Sequence, residues 1–500
     1  MTELLLALDE GTTSTRAMVF DLTGASVSTA TRPLIQHYPK PGWVEHNPKE
    51  IWAETLSAAR AAIAQLGGAG HIKALGITNQ RETVVFWDRA TGEPVGPAIV
   101  WQDRRTADEC AALEEAGHGP LVAEATGLPI DPYFSATKLG WALRHRPQLA
   151  ELLAANRLAC GTVDSYLIFR LTGGLHVMDA TNAARTQLMD LRTCQWREDL
   201  CELFGVPRAI LPEITDCAAP FGHTLPELLG RAIPITGVAG DQQAAALGQA
   251  CVTPGAIKAT YGTGAFVLAH VGEEPRLSQN RLLGTVAWRL GGKPAYALEG
   301  SIFVAGSAVK WLRDQVGLVI EAGETEVLAR SVASTEGVYL VPAFVGLGAP
   351  HWRPEARASL TGLTFGATRA HIVRACLEAM SYQTHDLMTA FRQDGVEPGL
   401  MRIDGGMAVN DWMAQDLADM LDLTVERPRV TETTALGAAI LAGIGAGLLK
   451  GPEDAVRLWQ PDRCFEPALA PDARSSRLAG WRVAVARTLG DAARAEHRFE

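Results

Sequence analysis

Two stretches of the chain, about 250 residues apart, carry the same alternation of apolar and small polar residues. In the first, the apolar run Leu4–Leu8 is followed by the break Gly11-Thr12-Thr13-Ser14 and a second run, Ala17–Phe20; in the second, Ile257–Tyr261, Gly262-Thr263-Gly264 and Ala265–Leu268 repeat it. Each reads as a β-hairpin whose tip offers backbone N–H groups and hydroxyls. Downstream of the first hairpin, a Pro-rich polar connection (38–48) leads into an Ala-rich helix over Lys49–Leu66, then a buried strand, Ile72–Thr78, that stops at Asn79-Gln80-Arg81-Glu82. Strands over Thr83–Asp88 and Ala98–Trp101 follow. The second half predicts strands near 284–298, a helix from about Val304 to Gln315, and a strand at Ile403-Asp404 that enters the turn Gly405-Gly406 ahead of a helix near Asp411. This alternation is α/β, with functional groups placed at strand ends. The repeat divides the chain into 1–250 and 251–500, with the junction between 240 and 256.

The apolar segment Ala435–Leu449 falls short of the roughly 20 residues a bilayer requires and is rich in small residues, so it reads as a closely packed buried helix. The N-terminus has no basic region, and Asp9 interrupts its apolar run, which argues against a secretory leader or membrane anchor. With 500 residues, two large domains are expected. The formal charge of −11, without a basic run, argues against nucleic acid as a partner. Eight cysteines with no Cys-x-x-Cys pair and no ligand spacing with histidine read as reduced thiols of a cytoplasmic protein.

Two glycine- and threonine-rich tips facing one another would hold a nucleoside triphosphate, with the carboxylate of Asp9 beside the phosphates where Mg²⁺ must sit. Phosphoryl transfer is therefore the leading chemistry. No Gly-x-x-x-x-Gly-Lys-Ser/Thr loop occurs, nor a His-Arg-Asp followed by Asp-Phe-Gly, so the P-loop and protein-kinase schemes are excluded on motif grounds.

Read in order, Ala7-Leu8-Asp9-Glu10-Gly11-Thr12-Thr13-Ser14, Gly76-Ile77-Thr78-Asn79-Gln80-Arg81-Glu82-Thr83, Ile99-Val100-Trp101-Gln102, Asp131-Pro132-Tyr133-Phe134-Ser135, Gly240-Asp241-Gln242-Gln243, Tyr261-Gly262-Thr263-Gly264 and Asp404-Gly405-Gly406 resemble the FGGY carbohydrate kinases, and within them the members that phosphorylate glycerol. The resemblance runs from residue 4 to about 485. It implies two actin-like ATPase domains, ribonuclease H-like in fold, with ATP and the substrate in the cleft between them, the first domain carrying the glycerol site and the second the adenosine pocket. It also implies a homo-oligomer, dimer or tetramer.

The residues suit a small neutral triol, which must be recognised by hydrogen bonds to its hydroxyls and by apolar walls. Arg81 offers a fork of donors and Glu82 two acceptor oxygens for the two hydroxyls that do not react. Trp101 and Phe266 supply walls, Tyr133 another hydroxyl, and Gln242 a neighbouring amide. Asp241, at the end of the strand Ile235–Ala239, is the expected general base, taking the proton of the attacking primary hydroxyl; capping of a helix that starts at Gln242 is a compatible structural role. The resemblance assigns Thr12, Thr13, Ser14, Arg16 and Thr263 to the phosphates, Gly306, Gly406 and Asn410 to the adenosine pocket, and Asp9 with Asp241 to Mg²⁺.

Three departures stand out against better-known family members. Lys310 occupies a position where those carry glutamine near the nucleotide, and Glu10 replaces another glutamine, adding a charge that points toward the phosphates or out of the site. The segment Gly222–Ala232 lacks the longer Gly- and Arg-rich loop through which enteric relatives bind fructose bisphosphate, so inhibition by that ligand is not expected. The reading is an ATP-dependent phosphotransferase making sn-glycerol 3-phosphate. Its rivals are an FGGY kinase for another polyol or ketose, such as erythritol or xylulose, and an actin-like ATPase, which would leave Arg81, Glu82 and Asp241 without a task.

Overall fold

Both hairpins form, and each becomes the centre of its own sheet. The computed structural model describes residues 3–353 and 355–490; the remaining residues of the two expected halves lie outside it. Leu4–Glu10 pairs antiparallel with Ser14–Asp21, and Ala256–Tyr261 with Ala265–Gly272. In the five-stranded N-terminal sheet the order is Ile235–Gly240, Ile72–Asn79, Leu4–Glu10, Ser14–Asp21, Ser26–Pro33. In the seven-stranded C-terminal sheet it is Leu283–Leu290, Lys293–Ile302, Ala265–Gly272, Ala256–Tyr261, Leu400–Asp404, Val425–Pro428, Pro461–Phe465.

The duplication read from sequence is thus also a duplication of topology. In each sheet a parallel strand flanks the first arm of the hairpin, Ile72–Asn79 in one and Leu400–Asp404 in the other. An antiparallel strand flanks the second arm, Ser26–Pro33 or Lys293–Ile302. Parallel strands covered on both faces need near-continuous apolar runs, which Leu4–Leu8 and Ile72–Ile77 supply.

The apolar segment near 440 is the buried helix Thr433–Gly445. It comes from the C-terminal half yet packs on Leu4–Glu10, Ile72–Asn79 and Ile235–Gly240 of the N-terminal sheet and against the helix Asp241–Gly248. Its approach is so close that glycine is required on both sides. A Cβ on Gly76 would lie 2.1 Å from the carbonyl oxygen of Ala438, and one on Gly437 would lie 1.8 Å from that of Ala244.

The helix expected over 304–315 is Gly306–Trp311, continued by a π-turn, Leu312–Val316. No helix among the described residues is long and apolar enough to cross a membrane. All eight cysteines are free; seven are buried and Cys464 is exposed.

Candidate active site

The loop after Ile72–Asn79 braces the first hairpin tip through a closed ring of hydrogen bonds. Gln80 Nε2 donates to the carbonyl of Gly11 at 3.0 Å, and Thr83 Oγ1 donates to Gln80 Oε1 at 2.9 Å. The backbone N–H of Trp101 donates to Thr83 Oγ1 at 3.2 Å, and the Trp101 indole Nε1 donates to Thr12 Oγ1 at 2.9 Å, which closes the ring on the tip. The same indole meets the rings of Tyr133 and Phe266 edge-on, with centroids 5.7 and 6.3 Å away. Trp101, Tyr133 and Phe266, expected as walls and a hydroxyl of one pocket, are therefore brought together, Phe266 arriving from the second hairpin.

Beneath them lies a buried cluster of charges. Arg81 Nε stands 3.2 Å from Asp241 Oδ1, but its terminal fork is not open to a ligand as its residue type suggests. Nη1 and Nη2 donate to the two carboxylate oxygens of Glu299 at 2.6 and 3.0 Å. Glu82 accepts from Arg185 Nε at 2.6 Å, and Arg185 Nη2 reaches Glu299 at 3.3 Å. Burial raises the pKa of Glu82 against the pull of Arg81 and Arg185. Burial acts the same way on Glu299, but Arg185 and Arg81 outweigh it and hold that carboxyl at about 2. Glu82 also has a left-handed backbone, φ 63°, a conformation that costs a non-glycine residue about 1–3 kcal/mol unless its surroundings enforce it. Here Ser135 Oγ donates to its carbonyl at 3.1 Å and Arg185 grips its side chain.

Asp241 is the first residue of the helix Asp241–Gly248; Gly240 occupies the capping position, so the expected helix start moves by one residue. The carboxylate accepts from the backbone N–H of Gln242 at 2.7 Å and keeps 31% of its side chain accessible. Burial raises its pKa, opposed by Arg81 and Lys258, a direction that strengthens a base. Gln242 Oε1 accepts from the buried ammonium of Lys258. The strand end before Asp241 is fixed by the Gly240 N–H, which donates to Thr181 Oγ1 at 2.9 Å.

Asp9 and Glu10, adjacent on one strand, face opposite ways. Burial pushes the Asp9 carboxyl up to about 7; Arg16 opposes this, while Asp241 and Glu432 raise it further. Arg16 pairs with Glu432 across the two halves. Glu10 is fully buried on the other face, accepts from Thr55 Oγ1 at 2.6 Å, and has its pKa pushed up to about 8 by burial. Of the two orientations open to Glu10, the structure selects the one out of the site.

Around the second tip, the carbonyl of Gly262 accepts from the N–H of Gly306 at 2.9 Å, and the carbonyl of Thr263 from Ser307 Oγ at 2.8 Å. Gly405, at φ +88°, packs on Tyr261 so closely that a Cβ would lie 2.4 Å from its carbonyl oxygen. Gly262, Thr263, Gly306 and the Gly405-Gly406 turn are thus gathered, with open space where a Cβ on Gly406 would point. Asn410 caps the helix Asp411–Leu421 through Met413 N and donates to Thr325 Oγ1, so its side chain is engaged in the fold. Lys310 is exposed on the helix Gly306–Trp311.

Similarity to known proteins places the chain in a family. The family model described as FGGY family of carbohydrate kinases, N-terminal domain, matches residues 4–248, and the model of the corresponding C-terminal domain matches 257–446. The chain belongs to the FGGY family of carbohydrate kinases. It is 52% identical to a glycerol kinase of Gluconobacter oxydans, covering 99% of this chain and 97% of that protein. It is 54% identical to one of Rhodospirillum rubrum, covering 97% and 99%. Among solved structures it resembles Plasmodium falciparum glycerol kinase with ADP, at TM-score 0.93 and 36% identity over 98% of both chains. The α/β halves are accordingly the actin-like domains of an FGGY kinase, and the chain is an ATP-dependent phosphotransferase.

Sequence reasoning about this carbohydrate kinase missed Arg185, Glu299, Lys258 and Lys138. Lys138 is buried and donates to the carbonyls of Tyr133 and Phe134 at 2.6 and 2.9 Å, fixing the loop that presents Tyr133. For Glu299 and Lys258 a signal existed, since each is a lone charge inside a largely apolar strand, and a buried charge requires a partner. Arg185 has no such mark.

Proposed function

We propose that the chain transfers the γ-phosphoryl group of ATP to a primary hydroxyl of glycerol, giving sn-glycerol 3-phosphate and ADP. The observation that carries this reading is the placement of Asp241 beside Arg81 Nε, at 3.2 Å, with Glu82, Trp101, Tyr133 and Phe266 around the same small space. Asp241 takes the hydroxyl proton as the oxygen attacks phosphorus; the bond from phosphorus to the bridging oxygen of ADP breaks in line. Arg81, Glu82 and Tyr133 orient the other two hydroxyls, and the aromatic walls exclude water, which would otherwise compete as acceptor. The aromatic clamp favours a three-carbon polyol over erythritol or xylulose, and an actin-like ATPase reading leaves the Asp241–Arg81 pair unused.

The nucleotide is assigned to the two tips: Thr12, Thr13, Ser14 and Arg16 on one side, Thr263, Gly306, Gly406, Asn410 and the altered Lys310 on the other. Asp9 and Asp241, carboxylates close enough for one to raise the pKa of the other, are a donor set that a hard divalent cation fits. Mg²⁺ is commonly held by one or two carboxylates together with water and phosphate oxygens. When bound, Mg²⁺ neutralises charge on the phosphates. We further propose a cytoplasmic homo-oligomer.

The test is ADP release from Mg·ATP with and without glycerol, beside erythritol, xylulose and dihydroxyacetone, for the native chain and Asp241→Asn. Stimulation at the lowest concentration by glycerol, lost in the variant, supports the proposal. Turnover indifferent to every polyol overturns it and leaves the actin-like ATPase.

A further inference from the structure

The guanidinium of Arg81 has five N–H bonds, and the structure accounts for where they point. The end formed by Nη1 and Nη2 is taken by Glu299, with Gln243 Oε1 3.3 Å from Nη1. What remains is the side edge formed by Nε and Nη2. It faces Asp241 Oδ1 at 3.2 Å and the Tyr133 hydroxyl at 3.5 Å. The second contact is long for a hydrogen bond, so that N–H is the one a polyol hydroxyl can take over.

Glu299 sits on Lys293–Ile302 in the C-terminal sheet, whereas Arg81, Glu82 and Arg185 belong to the N-terminal half. Arg81, Glu82, Arg185 and Glu299 are at most 3% exposed. A bidentate guanidinium–carboxylate pair fixes a plane as well as a distance, and buried in this way it tolerates little sliding. Arg185, bridging Glu82 and Glu299, holds the acceptor in line with the donor.

We propose that Glu299 is a positioning residue for polyol recognition: by holding the end of the Arg81 guanidinium from the opposite half of the molecule, it turns the Nε–Nη2 edge toward Asp241 and Tyr133. The polyol-facing edge of Arg81 is complete only while Glu299 keeps this place. The inference rests on the polyol kinase reading above.

The test is the full steady-state comparison of the native chain with Glu299→Gln, which keeps the shape and removes the charge, varying glycerol at saturating Mg·ATP and then Mg·ATP at saturating glycerol. Glu299→Asp, which keeps the charge and shortens the reach, is the second variant in case the first does not fold. The expected result is a rise of about tenfold or more in KM for glycerol in Glu299→Gln, and a smaller rise in Glu299→Asp, with KM for ATP changed less than about twofold. A merely structural role would reduce kcat through the active fraction and leave both KM values alone. A folded variant with unchanged KM for glycerol, or with both KM values raised equally, overturns this inference alone. A native chain that shows no polyol-stimulated ADP release overturns the activity and this inference with it.

Discussion

The indole Nε1 of Trp101 donates to Thr12 Oγ1 at 2.9 Å while its ring lies edge-on to Phe266, so one side chain ties the tip of the first hairpin to an arm of the second. On the proposed reading, the side chain that walls the polyol also braces the tip assigned to the nucleotide. Trp101→Phe keeps a ring and removes the N–H, so its cost is that of one neutral hydrogen bond, roughly 0.5–1.5 kcal/mol, or about 2- to 10-fold in kcat/KM. The loss should appear in the constants for ATP as well as for glycerol, which initial-rate kinetics in both substrates will read.

Asp241→Asn retains a carbonyl oxygen for the Gln242 N–H and should fold, but it cannot accept the hydroxyl proton. A loss of about 10²- to 10⁴-fold in kcat is expected, with little change in thermal midpoint. Single-turnover formation of ADP, beside a thermal melt, checks both halves of this expectation. A drop in stability without the kinetic loss would assign Asp241 to the helix start alone.

Glu10 makes a pH prediction. Its pKa is about 8 in the fold against 4.5 ordinarily, because burial penalises the charged form, with Thr55 and Thr15 opposing and Asp9 adding to it. A raised folded pKa means that the stability it contributes is complete below about 4.5 and is lost as pH rises through about 8. Glu10→Gln removes this titration. Without nucleotide or Mg²⁺, the variant should match the native chain near pH 4.5 and melt at a higher temperature than it at pH 8.5. Parallel melting curves across that range would expose the error.

Gly437→Ala places a methyl group 1.8 Å from the carbonyl oxygen of Ala244, backbone against backbone, with no side chain able to yield. Overpacking of this kind costs about 1–3 kcal/mol or more. The thermal midpoint should fall by several degrees, whereas Gly447→Ala, in open space but at φ +71°, should lose only the smaller cost of its left-handed backbone.

The strands, the helices and the positions of the candidate site residues at strand ends are legible in the amino-acid sequence. Alternating runs around Gly-Thr tips fix hairpins because strand pairing across a short turn is local, and Arg81, Glu82 and Asp241 fall at strand ends that can be read in the same way. The small-residue run near 440 announced a buried helix, since glycine and alanine permit backbones to touch. Which groups those ends meet depends on packing between distant segments. Arg81 finds Glu299 218 positions away, and Glu82 finds Arg185 103 positions away. Glu10 turns away from the Asp9 side because the strand's two-residue period sends neighbours to opposite faces, and only the packing of the sheet says which face is buried against Thr55. Ion pairs between halves leave no periodicity in the chain, and so the partner that orients Arg81 becomes visible only when the two sheets are set against each other.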